Sequence, residues 1–211
     1  MKMSKGAVCV CAALALQVVA VGFLVWRYER IVQNGAEVRI KCQAYDPYDP
    51  LRGRYLRVTV SETCTNVLFE VDADNYWKVP EGDIYAKLAK APGEGGLYRV
   101  EAVAREPGDA GLWVKTKSLR LTHAHDHESK RTGESYDEFY ARQRKSRTKA
   151  VVSFPDQLFV NEKVAPDAEV LLRKSTASAV AVFRVLDGEI VLTDIEIGGK
   201  PILSAVREKR R

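Results

Sequence analysis

The first pattern in the chain is a long apolar run near its beginning. Residues 7–26 read AVCVCAALALQVVAVGFLVW, with no charged side chain and with Gln17 as the one polar side chain. A helix of about 20 residues rises about 30 Å, which matches the hydrocarbon thickness of a bilayer. Trp26 and Tyr28 stand at its end, where amphipathic aromatic side chains favour the interface. The pattern predicts a transmembrane helix over residues 7–26, preceded by a head of residues 1–6.

A cleaved signal peptide is the alternative interpretation of this run. The apolar region of a signal peptide is usually about 7–15 residues long and ends at a site with small residues. Val18-Val19-Ala20 offers such a site, but six apolar residues follow it. The length of the run therefore favours a retained anchor over a cleaved signal.

The charges that flank the run predict its orientation. Lys2, Lys5 and the α-amino group precede it, whereas Arg27 and Arg30, partly offset by Glu29, follow it. The positive-inside rule favours a cytoplasmic N-terminus only slightly. Because a short head is followed by a large domain, we expect that domain to be translocated. The predicted location is the inner (cytoplasmic) membrane, with the C-terminal domain in the periplasm.

After a predicted juxtamembrane link over residues 27–35, the pattern changes to a period of two. Val38, Ile40 and Cys42 alternate with polar side chains, which is typical of a strand with one buried face. Turn signals separate the predicted strands, and Asp187-Gly188 predicts a tight hairpin. The strands are Val38–Ala44, Tyr55–Val60, Asn66–Val71, Asp83–Ala89, Leu97–Arg105, Leu112–Leu121, Ala150–Phe154, Ser178–Val185 and Glu189–Ile197. Residues 36–205 therefore form a mainly β domain, an antiparallel sandwich or barrel.

One or two short helices interrupt the strands. Pro166 suits the first turn of a helix, and Asp167 and Glu169 suit its N-terminus. Residues 122–149 are strongly polar and are predicted to form an exposed excursion with a short helix from Tyr136 to Arg144.

The charge distribution argues against nucleic-acid binding. The chain has 33 Lys+Arg against 28 Asp+Glu, a net charge of +5. The first 26 residues contribute +2 and the basic tail over residues 206–211 contributes +3, so the body is neutral. A nucleic-acid domain would carry a basic face. The tail and the basic residues of 142–149 could instead attract anionic lipid; the alternative is that they are solvated.

Residues 49–60 read DPLRGRYLRVTV and resemble the signature of the GDYXXLXY family. Gly53 and Tyr55 match its Gly and first Tyr. Three positions depart from it: Arg54 replaces the Asp, Val58 replaces the Leu and Val60 replaces the last Tyr. These departures keep the strand apolar but remove the Asp carboxylate.

Further segments resemble later blocks of the same family in the same order, so the resemblance covers most of residues 36–203 outside 122–149. They are residues 84–98, 154–169 and 190–202. The family consists of single-pass anchored bacterial proteins, often linked to multi-spanning membrane proteins. The resemblance implies no established reaction. It implies an accessory protein that acts with another integral membrane protein.

The turn before the second strand is a candidate interaction surface, because Tyr and Arg are common interface anchors. Its aromatic and cationic side chains are Tyr45, Tyr48, Tyr55, Arg52 and Arg54. Its motif positions are Asp49, Pro50, Gly53, Arg54 and Tyr55. The alternative is that Tyr55 packs inside the domain and the prolines only shape the turn.

Three histidines, His123, His125 and His127, alternate along the chain. On an extended strand they share one face, and neutral imidazole binds Zn, Cu and Ni. The alternative function is therefore a metal-binding extracytoplasmic module with a divalent transition metal. A solvated histidine cluster is the competing interpretation, and it requires no cofactor.

The cysteines fall into two groups. Cys9 and Cys11 lie in the apolar run, whereas Cys42 and Cys64 lie in the domain. Cys42 and Cys64 could form a disulfide in an oxidising compartment, or stay free. No serine lies in a Gly-x-Ser-x-Gly motif, so no catalytic residue is predicted and an enzyme is disfavoured.

Overall fold

The computed structural model describes residues 5–44, 55–71, 81–93, 95–123, 133, 135–138, 148–175 and 178–210. Within these ranges a long N-terminal helix precedes a domain made mostly of short antiparallel strands. The helices are α1 (Lys5–Asn34), α2 (Ala165–Lys174) and α3 (Ile202–Lys209). The strands are β1 (Ala36–Lys41), β2 (Gln43–Ala44), β3 (Tyr55–Thr59), β4 (Ser61–Cys64), β5 (Tyr85–Lys90), β6 (Tyr98–Ala104), β7 (Leu112–Lys115), β8 (Ser118–His123), β9 (Thr148–Ser153), β10 (Gln157–Phe159), β11 (Ala179–Leu186), β12 (Glu189–Ile197) and β13 (Lys200–Pro201).

The described strands form four antiparallel sheets. Their strand orders are β1-β11-β12-β13, β10-β3-β2, β4-β9-β8 and β6-β5-β7. Backbone hydrogen bonds continue between sheets: the amide of Phe154 donates to the carbonyl of Val60 (3.1 Å), and that of Lys115 donates to Gly188 (2.8 Å). The prediction of a mainly β antiparallel domain is confirmed.

The apolar positions of the period-two pattern fill one core between these sheets. Val38 and Ile40 of β1, Leu56 of β3 and Ile195 of β12 are fully buried. The rings of Phe154 and Phe183 lie 6.1 Å apart at its centre, tilted by 52°. Alternation along each strand places these side chains on the inner face and their polar neighbours outside.

β5 and β6 form one hairpin, and the hairpin predicted at Asp187-Gly188 is confirmed as a second. The segment between β5 and β6 is closed by the amide of Ala91, which donates to Leu97 (2.8 Å). β11 and β12 pair from Leu186–Glu189 to Ala179–Ile197. Their turn holds Asp187 at φ 51° and Gly188 at φ 80°. Two consecutive positive φ angles define the turn type that Asp-Gly favours.

The predicted strand Asn66–Val71 is wrong. Among the described residues, this segment makes only one isolated bridge, Val67 to Val103, and that bridge is parallel. The segment crosses from β4 to β6 and pairs only where it touches Val103. The predicted strand Leu112–Leu121 is divided into β7, which pairs with β5, and β8, which pairs with β9. The inward-facing apolar positions shift from Leu112 and Val114 in β7 to Leu119 and Leu121 in β8, so the alternation breaks where the pairing partner changes.

α3 was not predicted, because its basic residues resemble a solvated tail. Its helix places Ile202 and Val206, four residues apart, in the core. The guanidinium of Arg210 then donates to Asp167 of α2 (2.7 Å) and to the carbonyl of Lys163 (2.9 Å). The predicted helix near Pro166 is confirmed as α2.

Only a few residues of the excursion 122–149 beyond the strand ends are described. Residues 136–138 are helical, at the start of the helix predicted over Tyr136–Arg144. The amide and hydroxyl of Ser135 both donate to Glu138 (2.9 Å), and the amide of Glu138 donates back to the Ser135 hydroxyl (3.2 Å). This reciprocal pattern is a capping box that begins a helix.

α1 is one helix that is long and apolar enough to cross a membrane. Within Val10–Asn34, the 18-residue window that meets this criterion has a mean hydropathy of 2.0, and none of that window is buried in the protein. A signal sequence would meet the same criteria of length and composition. The link predicted over residues 27–35 is helical as far as Asn34, and Gly35 alone separates α1 from β1.

Candidate functional site

The described part of the family motif is a core strand. β3 lies between β10 and β2 at the centre of its sheet. Leu56, Val58 and Val60 point inward and are buried, with at most 2 % of each exposed. The Val residues that replace the family's Leu and Tyr therefore act as packing groups.

Tyr55 is the one residue of the candidate motif interface that the structure describes. Its ring lies 6.1 Å from that of Phe159, its partner on β10, and is half-buried. Phe159 itself is 75 % exposed. Tyr55 therefore packs within the domain while contacting an exposed aromatic ring. The other proposed interface positions lie outside the described residues: Asp49, Pro50, Gly53 and Arg54, with Tyr45, Tyr48 and Arg52.

A polar groove of about 310 Å³ lies beside the motif strand. Asp156, which follows β9, accepts a hydrogen bond from Arg57 Nε at 2.7 Å and forms an ion pair with Lys117. Ser118 and Ser153 also line the groove. These ion pairs join β3 to the segments before β8 and after β9, so they clamp three strands together.

The electrostatics of Asp156 follow from these contacts. Burial acts to raise the pKa of its carboxyl, but the hydrogen bonds and charges of Lys117 and Arg57 outweigh burial and lower the pKa. Asp156 is therefore an ionised carboxylate at neutral pH. An ionised, paired carboxylate suits a structural clamp better than proton transfer.

Cys42 and Cys64 are free thiols in the structure, and both are buried. The possible disulfide between them is not formed. The thiol of Cys64 donates to the carbonyl of Glu101 (3.2 Å), and the amide of Asn66 donates to its sulfur (3.3 Å). Both thiols thus belong to the packed core.

The histidine cluster falls at the edge of the described chain. His123 ends β8, opposite Thr148 of β9, whereas His125 and His127 lie outside the described residues. Among the described residues, no group of three or more His, Cys, Asp or Glu side chains is arranged to hold a metal ion. Metal binding by the cluster stays a prediction.

The last turns of α1 form a junction with the hairpin of β11 and β12, hereafter the helix–hairpin junction. Arg27 forms a bidentate ion pair with Glu189: its Nε lies 3.1 Å from one carboxylate oxygen, and a terminal guanidinium nitrogen contacts the other. One turn later, Arg30 donates to Asp187 at 3.0 Å. Arg30 also lies 5.9 Å from the ring of Trp26. The pairs follow the helix axis, so helix and hairpin lie side by side.

Apolar and backbone contacts complete the helix–hairpin junction. Ile31 is only 6 % exposed. The backbone of Gly35 passes so close to the hairpin that an added Cβ would lie 2.5 Å from Ile31 O and 2.9 Å from Val185 N. Arg184 donates to the carbonyl of Gly35 (3.2 Å). The orientation of α1 on the domain is therefore fixed by packing and not only by surface charges.

Sequence reasoning missed this junction because its partners lie about 160 residues apart. Two arginines three residues apart face two acids two residues apart, which suits a helix beside a hairpin turn. That complementarity carries meaning only once the hairpin is placed beside the helix. Local patterns gave no reason to pair these particular charges.

The comparisons with known proteins identify one similarity. A family model described as GDYXXLXY protein matches residues 17–195, which is most of the chain. The match begins inside α1 and ends within β12, so it includes β3 and the helix–hairpin junction. No curated protein and no solved structure matches the chain.

Proposed function

The chain belongs to the GDYXXLXY protein family, and on this premise we propose that it is a single-pass membrane-anchored accessory protein. Its α1 helix spans the inner membrane with the N-terminus in the cytoplasm. Its β domain lies on the extracytoplasmic side and acts with a multi-spanning membrane protein. The role is structural or regulatory, and we assign it no reaction.

The observation that carries the proposal is that the two parts of α1 differ in exposure: the apolar run is exposed, and the end of the helix packs on the domain. Large apolar side chains from Val10 to Trp26 are more than half exposed, whereas Ile31 is buried against the domain. If a signal peptidase cleaved after Ala20, residues 21–26 would remain as an exposed apolar segment at the start of the helix that packs on the domain. An intact helix in a bilayer covers that apolar surface completely.

Gln17 supports the choice of another integral membrane protein as partner. It lies near the midpoint of the apolar run and is exposed, with no side-chain hydrogen bond to any residue that the structure describes. A polar side chain at that depth is costly unless a neighbouring helix satisfies it. Ala13 and Ala20 lie on the same helical face as Gln17 and allow close approach.

Photo-crosslinking in intact membranes tests the partner. A photoreactive residue is placed either at Ala20, beside Gln17, or at Ala15, on the opposite face of the helix. We expect Ala20 to capture one multi-spanning protein, identified by mass spectrometry, and Ala15 to capture it much less. Gln17→Leu should weaken the Ala20 product. Equal capture from both faces, or none from either, contradicts the proposed partner.

Protease access tests the location. Protease added to spheroplasts should degrade the β domain, whereas protease added to inverted membrane vesicles should leave it intact. Alkaline carbonate should not release the protein from membranes. Release by carbonate, or degradation only in inverted vesicles, would refute the proposed anchor or its orientation.

A further inference from the structure

The helix–hairpin junction places one end of the β domain at a defined depth relative to α1, and this inference rests on the proposed membrane anchor. Arg27 is the first charged residue after the apolar run, and Arg30 lies about 4.5 Å further along the axis at 1.5 Å per residue. The headgroup layer on each side of a bilayer is roughly 5–8 Å thick. Both arginines therefore fall within that layer.

The tip of the β11–β12 hairpin shares this depth. Glu189 pairs with Arg27 and Asp187 pairs with Arg30, so the turn lies beside the part of α1 that follows the apolar run. Further from the membrane, Gly35 lies against Arg184 and Val185 of β11. The hairpin thus runs along the helix, with its turn nearest the apolar run.

β7 is attached to the same tip. The amide of Lys115 donates to the carbonyl of Gly188 (2.8 Å), and Lys115 forms an ion pair with Asp83 (2.7 Å). Trp113 is partly exposed, and its indole N–H donates to Ala110 (3.1 Å). Trp is a side chain that favours the lipid–water interface, because its ring is apolar and its N–H is polar.

We propose that these two segments, 187–189 and 113–115, form a membrane-facing rim that rests in the lipid headgroups. Three basic side chains of the rim and of α1, Arg27, Arg30 and Lys115, are each paired with an acid. Because the charges are balanced, the rim fits a zwitterionic headgroup surface and does not require anionic lipid.

The opposite end of the hairpin faces away from that surface. The nine residues of β12 extend from Glu189 to Ile197, a distance of about 26 Å at 3.3 Å per residue. β13 and the basic helix α3 follow at that distal end. Lys200 of β13, which pairs with Ile197, therefore lies at the end of the hairpin that is far from the turn.

Depth-dependent quenching of single tryptophans in the full chain tests the rim. The chain has three tryptophans, Trp26, Trp77 and Trp113. One variant keeps Trp113 alone, through Trp26→Phe and Trp77→Phe. A matched distal variant also carries Trp113→Phe and Lys200→Trp, and a third keeps Trp26 alone. Each is reconstituted in phosphatidylcholine vesicles with or without a lipid that bears a nitroxide on its headgroup or acyl chain.

The headgroup nitroxide should remove much of the Trp113 fluorescence and little of that from position 200. Replacing part of the phosphatidylcholine with phosphatidylglycerol should leave the Trp113 result unchanged. If Trp26 is quenched by acyl-chain nitroxide while Trp113 behaves like position 200, the rim is refuted and the anchor stands. If Trp26 is not quenched by either lipid, the anchor fails and the rim fails with it.

Hydrogen–deuterium exchange of the unmodified protein avoids the substitutions. Peptides that cover residues 184–192 should exchange their amide hydrogens more slowly in lipid nanodiscs than in micelles of a detergent with a small headgroup. Peptides that cover residues 195–203 should exchange at the same rate in both. Equal exchange of both regions in the two environments would overturn the rim.

Discussion

Two buried thiols show how packing decides the chemistry of a single side chain. Burial raises the pKa of Cys42 to about 12. Burial also raises the pKa of Cys64, aided by the charge of Glu101 and opposed by the hydrogen bond from Asn66. Because the thiolate is the reactive form of cysteine, neither side chain is a nucleophile at neutral pH.

We therefore expect Cys42 and Cys64 to resist alkylation in the folded protein. In non-reducing urea both should react at once, because they are free thiols. Mass spectrometry of peptides labelled before and after unfolding measures this. If the unfolded protein needs a reductant before Cys42 and Cys64 react, the two thiols are joined in a disulfide.

We expect the ion pairs of Asp156 to stabilise the folded protein at neutral pH and to lose this effect in acid. Unfolded aspartate has a pKa of about 3.9, and the folded-state pKa of Asp156 is lower. A carboxyl with a depressed folded pKa stabilises the protein above the unfolded value, and this stabilisation is lost as the pH falls through the folded value. Asp156→Asn should lower stability at pH 7 and flatten the loss of stability below about pH 4.

Urea unfolding across this pH range, with a fragment that begins at residue 27 and so lacks the apolar run, measures the effect of Asp156→Asn. Asp109→Asn is the matched control, because Asp109 is exposed in the loop before β7. A pH dependence that is identical for the parent and for Asp156→Asn would show that the ion pairs with Arg57 and Lys117 contribute nothing.

The motif strand β3 owes its role to alternation. Val58 is buried and the next residue, Thr59, is exposed on the other face. Val58→Ala should cost about 2 kcal/mol, from two methyl groups at about 0.8 kcal/mol each and the cavity they leave. Thr59→Ala removes a group of similar shape and should change stability by less than about 0.5 kcal/mol. Chemical denaturation that gives equal losses would contradict a packing role for the motif.

The connection between α1 and β1 depends on a glycine. Gly35→Ala would force a Cβ against the Ile31 carbonyl and the Val185 amide, at a cost of about 1–3 kcal/mol. Gly22→Ala is the control on the same helix, because nothing lies within 4 Å of a Cβ at Gly22. Thermal unfolding of the full chain in detergent should show a lower midpoint for Gly35→Ala alone. An unchanged midpoint would mean that the junction is loose.

The end of α1 is part of the folded domain, although it continues the apolar helix. A fragment that begins at residue 27 keeps Ile31 and the junction, whereas one that begins at residue 36 loses both. Burial of an isoleucine side chain is worth about 1.5–3 kcal/mol, so the longer fragment should be more stable by about that amount. Ile31→Ala in the longer fragment should remove most of the difference in urea unfolding. If both fragments are equally stable, α1 is an independent element.

Prediction succeeded where local physics decides the outcome. Alternation predicted β1, β3 and β12, and Asp187-Gly188 predicted the hairpin turn. It failed at Asn66–Val71, which has strand-like residues but, among the residues that the structure describes, no partner strand along most of its length. It also failed at α3, where a basic composition concealed Ile202 and Val206. Strand pairing and side-chain burial both depend on residues that are distant in sequence. A short stretch of sequence therefore does not determine either of them.

For this protein, the sequence alone determined the apolar helix, the mainly β domain and the family, because periodicity, turn chemistry and motif order are local properties. Tertiary structure alone decided that the predicted link is helical and docked, and that the arginines after the apolar run face acids of a hairpin near the other end of the chain. It also decided that the motif strand is core and that both domain cysteines are buried. These are contacts between distant residues, whose energies exist only once the chain has folded.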